Sequence, residues 1–172
     1  MARWLWIFWI YSFLGYGLEK AFASVTHAPN QERKCFLLLP LCPVYGLGML
    51  AVLALPVRGW PLVLWGALAA TAVEYAFHWV CEAFLTVRFW DYTQVPGNLR
   101  GRVCLPFSIA WGLLTAFAVR FLQPWVERAA SAIPWQVTYA LLLVFTADAV
   151  CSAQFLRRTH DIEGLRYTTW NR

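Results

Sequence analysis

The chain has 172 residues, of which 60% are hydrophobic and 13% charged, with a formal net charge of +5. A soluble domain carries about 25% charged residues, so this composition cannot cover a water-facing surface and instead reads as a single transmembrane domain over residues 1–172. The basic residues stand at the ends of apolar runs and form no stripe among polar neighbours, which argues against nucleic acid and for lipid headgroups as their partners.

Residues 4 to 25 read as a first span. Trp4, Trp6 and Trp9 suit an interface, and Tyr11, Ser12, Gly15 and Glu19 form a small, polar face of the kind that packs on another helix. The run lacks a Lys-rich leader and carries Glu19-Lys20 where a cleavage site would stand, so it reads as a retained span rather than a signal peptide. After a polar connection at Asn30 to Lys34, residues 36 to 56 form a second apolar run, interrupted by Pro40 and Cys42-Pro43. Proline removes a donor and disfavours helix just before it, which predicts a kinked or irregular start in the bundle interior.

A turn at Arg58-Gly59-Trp60-Pro61 leads to a third span over 60–85. A polar loop follows over 87–103, with a turn signal at Pro96-Gly97-Asn98. The fourth span covers 104–122, Gln123 to Ile133 reads as a separate interfacial segment, and the last span covers 134–156. The expected fold class is therefore an all-α integral membrane protein, a bundle of about five transmembrane helices with an irregular start to the second. Arg33, Lys34, Arg88, Arg100, Arg102, Arg157, Arg158, Arg166 and Arg172 fall on one side of it, and Arg3, Arg58 and Arg128 on the other. That bias predicts a multi-pass protein of the cell membrane with its N-terminus outside and its C-terminus cytoplasmic.

Glu74, His78 and Glu82 lie four residues apart and form one slanting stripe on the third helix. A charge at mid-bilayer costs about 2.5–3.5 kcal/mol, so the stripe has to gain from partners inside the bundle. Glu19, Glu74, Glu82, Asp91 and Asp148 can face Lys20, Lys34, Arg100 and Arg102. Two readings follow: a polar, cytoplasm-facing cavity in which the arginines take an anionic group, or a set of buried ion pairs that only fixes helix register. A metal is not expected, because one helical stripe needs a second helix to close its shell. The five cysteines, Cys35, Cys42, Cys81, Cys104 and Cys151, are odd in number and show no Cys-x-x-Cys spacing, which argues against a disulfide framework and a structural zinc site. No catalytic residue can be assigned and no cofactor is called for; the P-loop, His-Glu-x-x-His and Gly-x-Ser-x-Gly motifs are all missing.

Several rare residues in fixed order resemble the ABC-transporter type IV permease family (CmpB-like), which also takes in transmembrane protein 229-like sequences. They are Tyr11-Ser12 with Gly15 and Glu19, Pro40-Leu41-Cys42-Pro43-Val44-Tyr45-Gly46, Glu74-Tyr75 with Glu82, Trp90-Asp91-Tyr92, and Asn98 with Gly101-Arg102-Val103-Cys104-Leu105. The resemblance implies a small multi-span transport component, with Glu19, Glu74, Glu82, Trp90, Asp91, Asn98 and Arg102 as its site residues. To these the charge pattern adds Arg100. The expected function is a permease component for a small anionic or zwitterionic solute, working as a homo-oligomer or with a partner subunit. The alternatives are an intramembrane enzyme acting on a lipid-like substrate through Glu or Asp, or a non-catalytic membrane partner.

Overall fold

A computed structural model describes residues 2–26 and 35–165. Asn30, Arg33, Lys34, Arg166 and Arg172 lie outside the described residues. The architecture is all-α: α1 (Ala2–Val25), α2 (Pro43–Leu53), α3 (Pro61–Leu85), α4 (Leu105–Phe117), α5 (Gln123–Ala132) and α6 (Trp135–Thr159), with one small hairpin of β1 (Asn98–Leu99) and β2 (Val103–Cys104). Prolines mark most of the helix starts. Pro43, Pro61 and Pro106 each occupy a first turn, where the missing N–H has no intrahelical partner to lose.

Two expected spans take a different form. The second is helical only over Pro43–Leu53, 11 residues or about 16 Å of helix, too short to cross a ~30 Å hydrocarbon layer alone. Residues 35–42 before it are irregular, as the prolines predict, and are held by side chains and backbone of other elements. The Cys42 N–H donates to the Ser12 carbonyl at 2.9 Å, and the Leu38 and Leu39 N–H groups donate to the Asp148 carboxylate at 3.1 and 2.9 Å. The fourth span and the segment after it are one continuous helix. A π turn over Ala118–Leu122 joins α4 to α5. Its cause is Pro124, which lacks an N–H and would crowd the carbonyl four residues back; widening the preceding turn absorbs both effects.

Glycines set how closely the helices approach. A side chain at Gly46 of α2 would meet the Phe8 carbonyl oxygen and the Ser12 hydroxyl of α1, and one at Gly112 of α4 would meet the Val63 carbonyl oxygen of α3. Ile7, Tyr11, Met49, Ala118 and Val126 fill the core at the end where α1 begins. There Tyr11 Oη donates to Gln123 at 2.9 Å, Trp6 Nε1 to Thr138 at 2.8 Å, and Arg3 to Glu127 at 3.0 Å. At the opposite end the C-termini of α3 and α6 meet, with His160 Nδ1 lying 2.6 Å from Thr86 Oγ1 and 3.0 Å from the Leu85 carbonyl oxygen.

Among the described residues, two helices are long and apolar enough to cross a membrane, Leu105–Ala132 and Trp135–Thr159, each with a mean hydropathy of 1.6. The helices α1 and α3 have the length, 24 and 25 residues, but Glu19, Lys20, Glu74, Glu82 and several Trp and Tyr residues make them more polar. Around the outside, Phe13, Leu18, Leu64, Leu68, Phe84, Ile109, Leu113, Phe117, Leu143 and Val144 are all exposed. Apolar exposure on that scale belongs against lipid or a partner rather than water.

Candidate functional site

The inner face of α3 carries Leu62, Gly66, Ala70, Glu74 and His78 into the interior, so Glu74 and His78 of the stripe point inward. Glu74 is 5% exposed and His78 3% exposed. Beside Glu74 lies a cavity of about 200 Å³, lined among others by Glu19, Tyr45, Trp90, Tyr92, Phe107 and Trp111. Each carboxylate in its wall accepts from a ring donor. Glu74 takes the Tyr92 hydroxyl at 3.2 Å and Trp111 Nε1 at 2.9 Å, and Glu19 takes the Tyr45 hydroxyl at 2.6 Å. Tyr45 packs over Gly15, where a Cβ would collide with its ring, so the same glycine that joins α1 to α2 also aims Tyr45 at Glu19.

Glu82, one turn beyond His78, belongs to a separate cluster. Its Oε2 accepts from Arg102 Nε and Nη2 at 3.0 and 2.7 Å, and its Oε1 accepts from Arg88. Arg102 also donates to the Tyr75 hydroxyl at 2.8 Å and lies 5.2 Å over that ring. The Glu82 hydrogen bonds raise the Arg102 guanidinium above its ordinary range. Trp90 connects this cluster to the cavity: its Nε1 donates to the Arg102 carbonyl at 2.9 Å, and its own carbonyl lies 3.0 Å from His78 Nε2. A carbonyl can only accept, so Nε2 carries a proton, and the buried Nδ1, 4.0 Å from Glu82 Oε2, finds no hydrogen-bond partner among the described residues.

Asp91 and Asn98 fold the loop. The Asp91 carboxylate accepts the Thr93 N–H at 2.9 Å, while Asn98 donates to the Thr93 and Val95 carbonyls and accepts the Gly101 N–H at 3.1 Å. The Thr93 N–H holds the Asp91 carboxyl below the usual carboxylate range. A depressed folded value means that the stability Asp91 lends is present above the unfolded value and lost as pH falls through the folded one. Proteolysis within 87–103 is accordingly expected to speed up a few-fold on acidification through that range. Asp91→Asn should remove the pH dependence, and an unaltered acid response in the variant would show that another group controls the loop.

Of the eight sequence-derived site residues, the fold brings Glu19, Glu74 and Trp90 to the cavity. It places Glu82 and Arg102 in the neighbouring ion pair, Asp91 and Asn98 in the loop scaffold, and Arg100 at the hairpin tip. Tyr45, Tyr92 and Trp111 complete the wall and were not among the eight; Tyr45 and Tyr92 lie inside the quoted motifs, whereas Trp111 carries no local signal. No group of three or more His, Cys, Asp or Glu side chains able to hold a metal occurs among the described residues.

Among the described residues, an all-α architecture with two membrane-length apolar helices and a broad exposed apolar surface is that of a membrane-associated protein. The family described as "Putative ABC-transporter type IV" matches residues 6–153, and the chain belongs to that family. No curated protein and no solved structure matched the chain.

Proposed function

We propose that the chain crosses the membrane five times as a single domain and serves as the permease component of a transporter, with the Glu19–Glu74 cavity as its solute site. The N-terminus lies outside and the C-terminus in the cytoplasm, which puts the loop over 87–103 and the mouth of the cavity on the cytoplasmic side. α1, α3, the joined α4–α5 and α6 each have the length of a span. The irregular residues 35–42 together with α2 make the fifth crossing, a half-helix whose unpaired backbone is tolerated because it is enclosed by protein.

The observation that carries this reading is the cavity lining. Two carboxylates and several aromatic faces suit a small zwitterionic solute or headgroup, with its positive end against Glu19, Glu74 and the rings. The arginines that a purely anionic solute would use, Arg100 and Arg102, do not line the cavity. A chain of 172 residues is small for a transporter working alone, so the working permease is a homo-oligomer or includes a partner subunit.

Glycine betaine, choline and glycerol phosphate test the charge preference on the purified protein through the shift each gives in the unfolding midpoint. Betaine is expected to raise the midpoint and glycerol phosphate to leave it unchanged. Glu74→Gln should weaken the betaine response about ten-fold or more in concentration, since a charge-assisted contact is worth about 1.5–3 kcal/mol. A wild-type response to glycerol phosphate alone, or a full betaine response in Glu74→Gln, would reject the cavity as the site.

A further inference from the structure

At the tip of the β1–β2 hairpin, side chain and backbone are in conflict. Arg100 has a φ of 55° and Gly101 one of 69°, and the Arg102 N–H donates to the Leu99 carbonyl at 3.1 Å. Two positive φ values in succession are the pattern of a type I′ turn, which favours Asn, Asp or Gly at its first central position because a Cβ crowds the backbone there. Arginine gains nothing locally in exchange. Among the described residues Arg100 makes no ion pair, hydrogen bond or ring contact, and it does not line the cavity.

The surroundings indicate what that side chain faces. Leu99 beside it is 58% exposed, and the Leu105 N–H donates to the Gly97 carbonyl at 3.2 Å, tying the hairpin to the first turn of α4. Leu105, Ile109 and Leu113, four residues apart, form an exposed apolar face along α4. The hairpin thus sets a cation and a leucine at the end of an apolar belt.

We propose that Arg100 binds the phosphate of an anionic phospholipid at the cytoplasmic interface while Leu99 rests in the apolar layer beneath. Charge complementarity supplies the attraction, because that leaflet carries a negative surface potential and juxtamembrane arginines respond to it. An acidic protein partner would meet the same charge, but the apolar belt running from the hairpin along α4 matches acyl chains. The proposal rests on the membrane reading above and is independent of the cavity.

The test titrates the detergent-solubilised full chain with phosphatidylglycerol and, separately, phosphatidylcholine, counting bound lipids by native mass spectrometry. Arg100→Gly suits the turn and should keep the hairpin folded. Its phosphatidylglycerol affinity is nevertheless expected to fall about five-fold, the worth of one basic residue at an anionic surface, with phosphatidylcholine binding unchanged. Arg100→Lys should restore the affinity, and raising salt should erode it in the wild type. Undiminished phosphatidylglycerol binding by Arg100→Gly overturns the proposal. So does loss of a co-purifying acidic protein with lipid binding intact, which would assign the tip to a protein partner. Failure of the wild type to reconstitute into phosphatidylcholine bilayers would instead reject the membrane reading itself.

Discussion

Gly46→Ala is expected to destabilise the protein by about 3 kcal/mol, the upper end of the usual cost of overpacking a close contact. The added methyl would fall on the Phe8 carbonyl oxygen, the Phe8 ring and the Ser12 hydroxyl. A side chain can rotate away, but a helical carbonyl oxygen cannot, so α1 and α2 must separate. The adjacent Tyr45 would move with α2 and strain its 2.6 Å hydrogen bond to Glu19, carrying the damage into the cavity wall. Thermal unfolding in detergent gives the measurement, with Gly17→Ala as control. A Cβ at Gly17 meets nothing within 4 Å, so that variant should equal or exceed the wild type by up to about 1 kcal/mol of helix propensity. Equal midpoints for Gly46→Ala and the wild type would mean that the two helices do not approach as closely as described.

Different physical signals explain which parts of this architecture can be read from sequence. Long apolar runs make α1, α3 and α6 visible, because an uninterrupted apolar stretch of more than about 20 residues is too long for a strand and reads as one long helix. The irregular stretch before Pro43 is visible for a local reason, the backbone restriction that Pro40 and Pro43 impose. The separate segment expected over Gln123 to Ile133 instead continues the helix before it, because a π turn over Ala118–Leu122 absorbs Pro124. The hairpin over Asn98–Cys104 stays hidden because its turn carries Arg-Gly where Asn-Gly would announce it.

The site divides along similar lines. The spacing of Glu74, His78 and Glu82 puts them on one face, but spacing does not reveal that Glu74 turns to Tyr92 and Trp111 while Glu82 turns to Arg88 and Arg102. Those partners sit on the loop and on α4, so only the packing of α3 against α4 decides which carboxylate joins the cavity. Charge pattern alone groups Arg100 with Arg102. The backbone separates them, since Arg102 folds back onto α3 and Arg100 occupies the turn.

Asp148→Ala is expected to cost about 3–5 kcal/mol, because the carboxylate accepts two backbone N–H groups in a segment that has no helix to satisfy them. Leu38 and Leu39 donate to its two oxygens at 3.1 and 2.9 Å, and Ser152 Oγ donates to Oδ1 at 3.0 Å. Hydrogen bonds to a charged acceptor are worth about 1.5–3 kcal/mol each, and away from water no solvent replaces them. An acidic residue inside a long apolar helix therefore need not meet a base or a solute; here it holds backbone. The effect reaches function because residues 35–42 lead directly into Cys42, Val44 and Tyr45 of the cavity wall. Asp148→Asn keeps one acceptor and turns a donor toward the other N–H, so it should recover no more than about half of the loss. Reactivity of Cys35 and Cys42, both buried, toward a membrane-permeant thiol reagent reports on the segment itself. In Asp148→Ala both should become accessible at temperatures where the wild type protects them. Continued protection together with an unchanged unfolding midpoint would show that residues 35–42 hold their path without Asp148, leaving its carboxylate to be explained by a ligand.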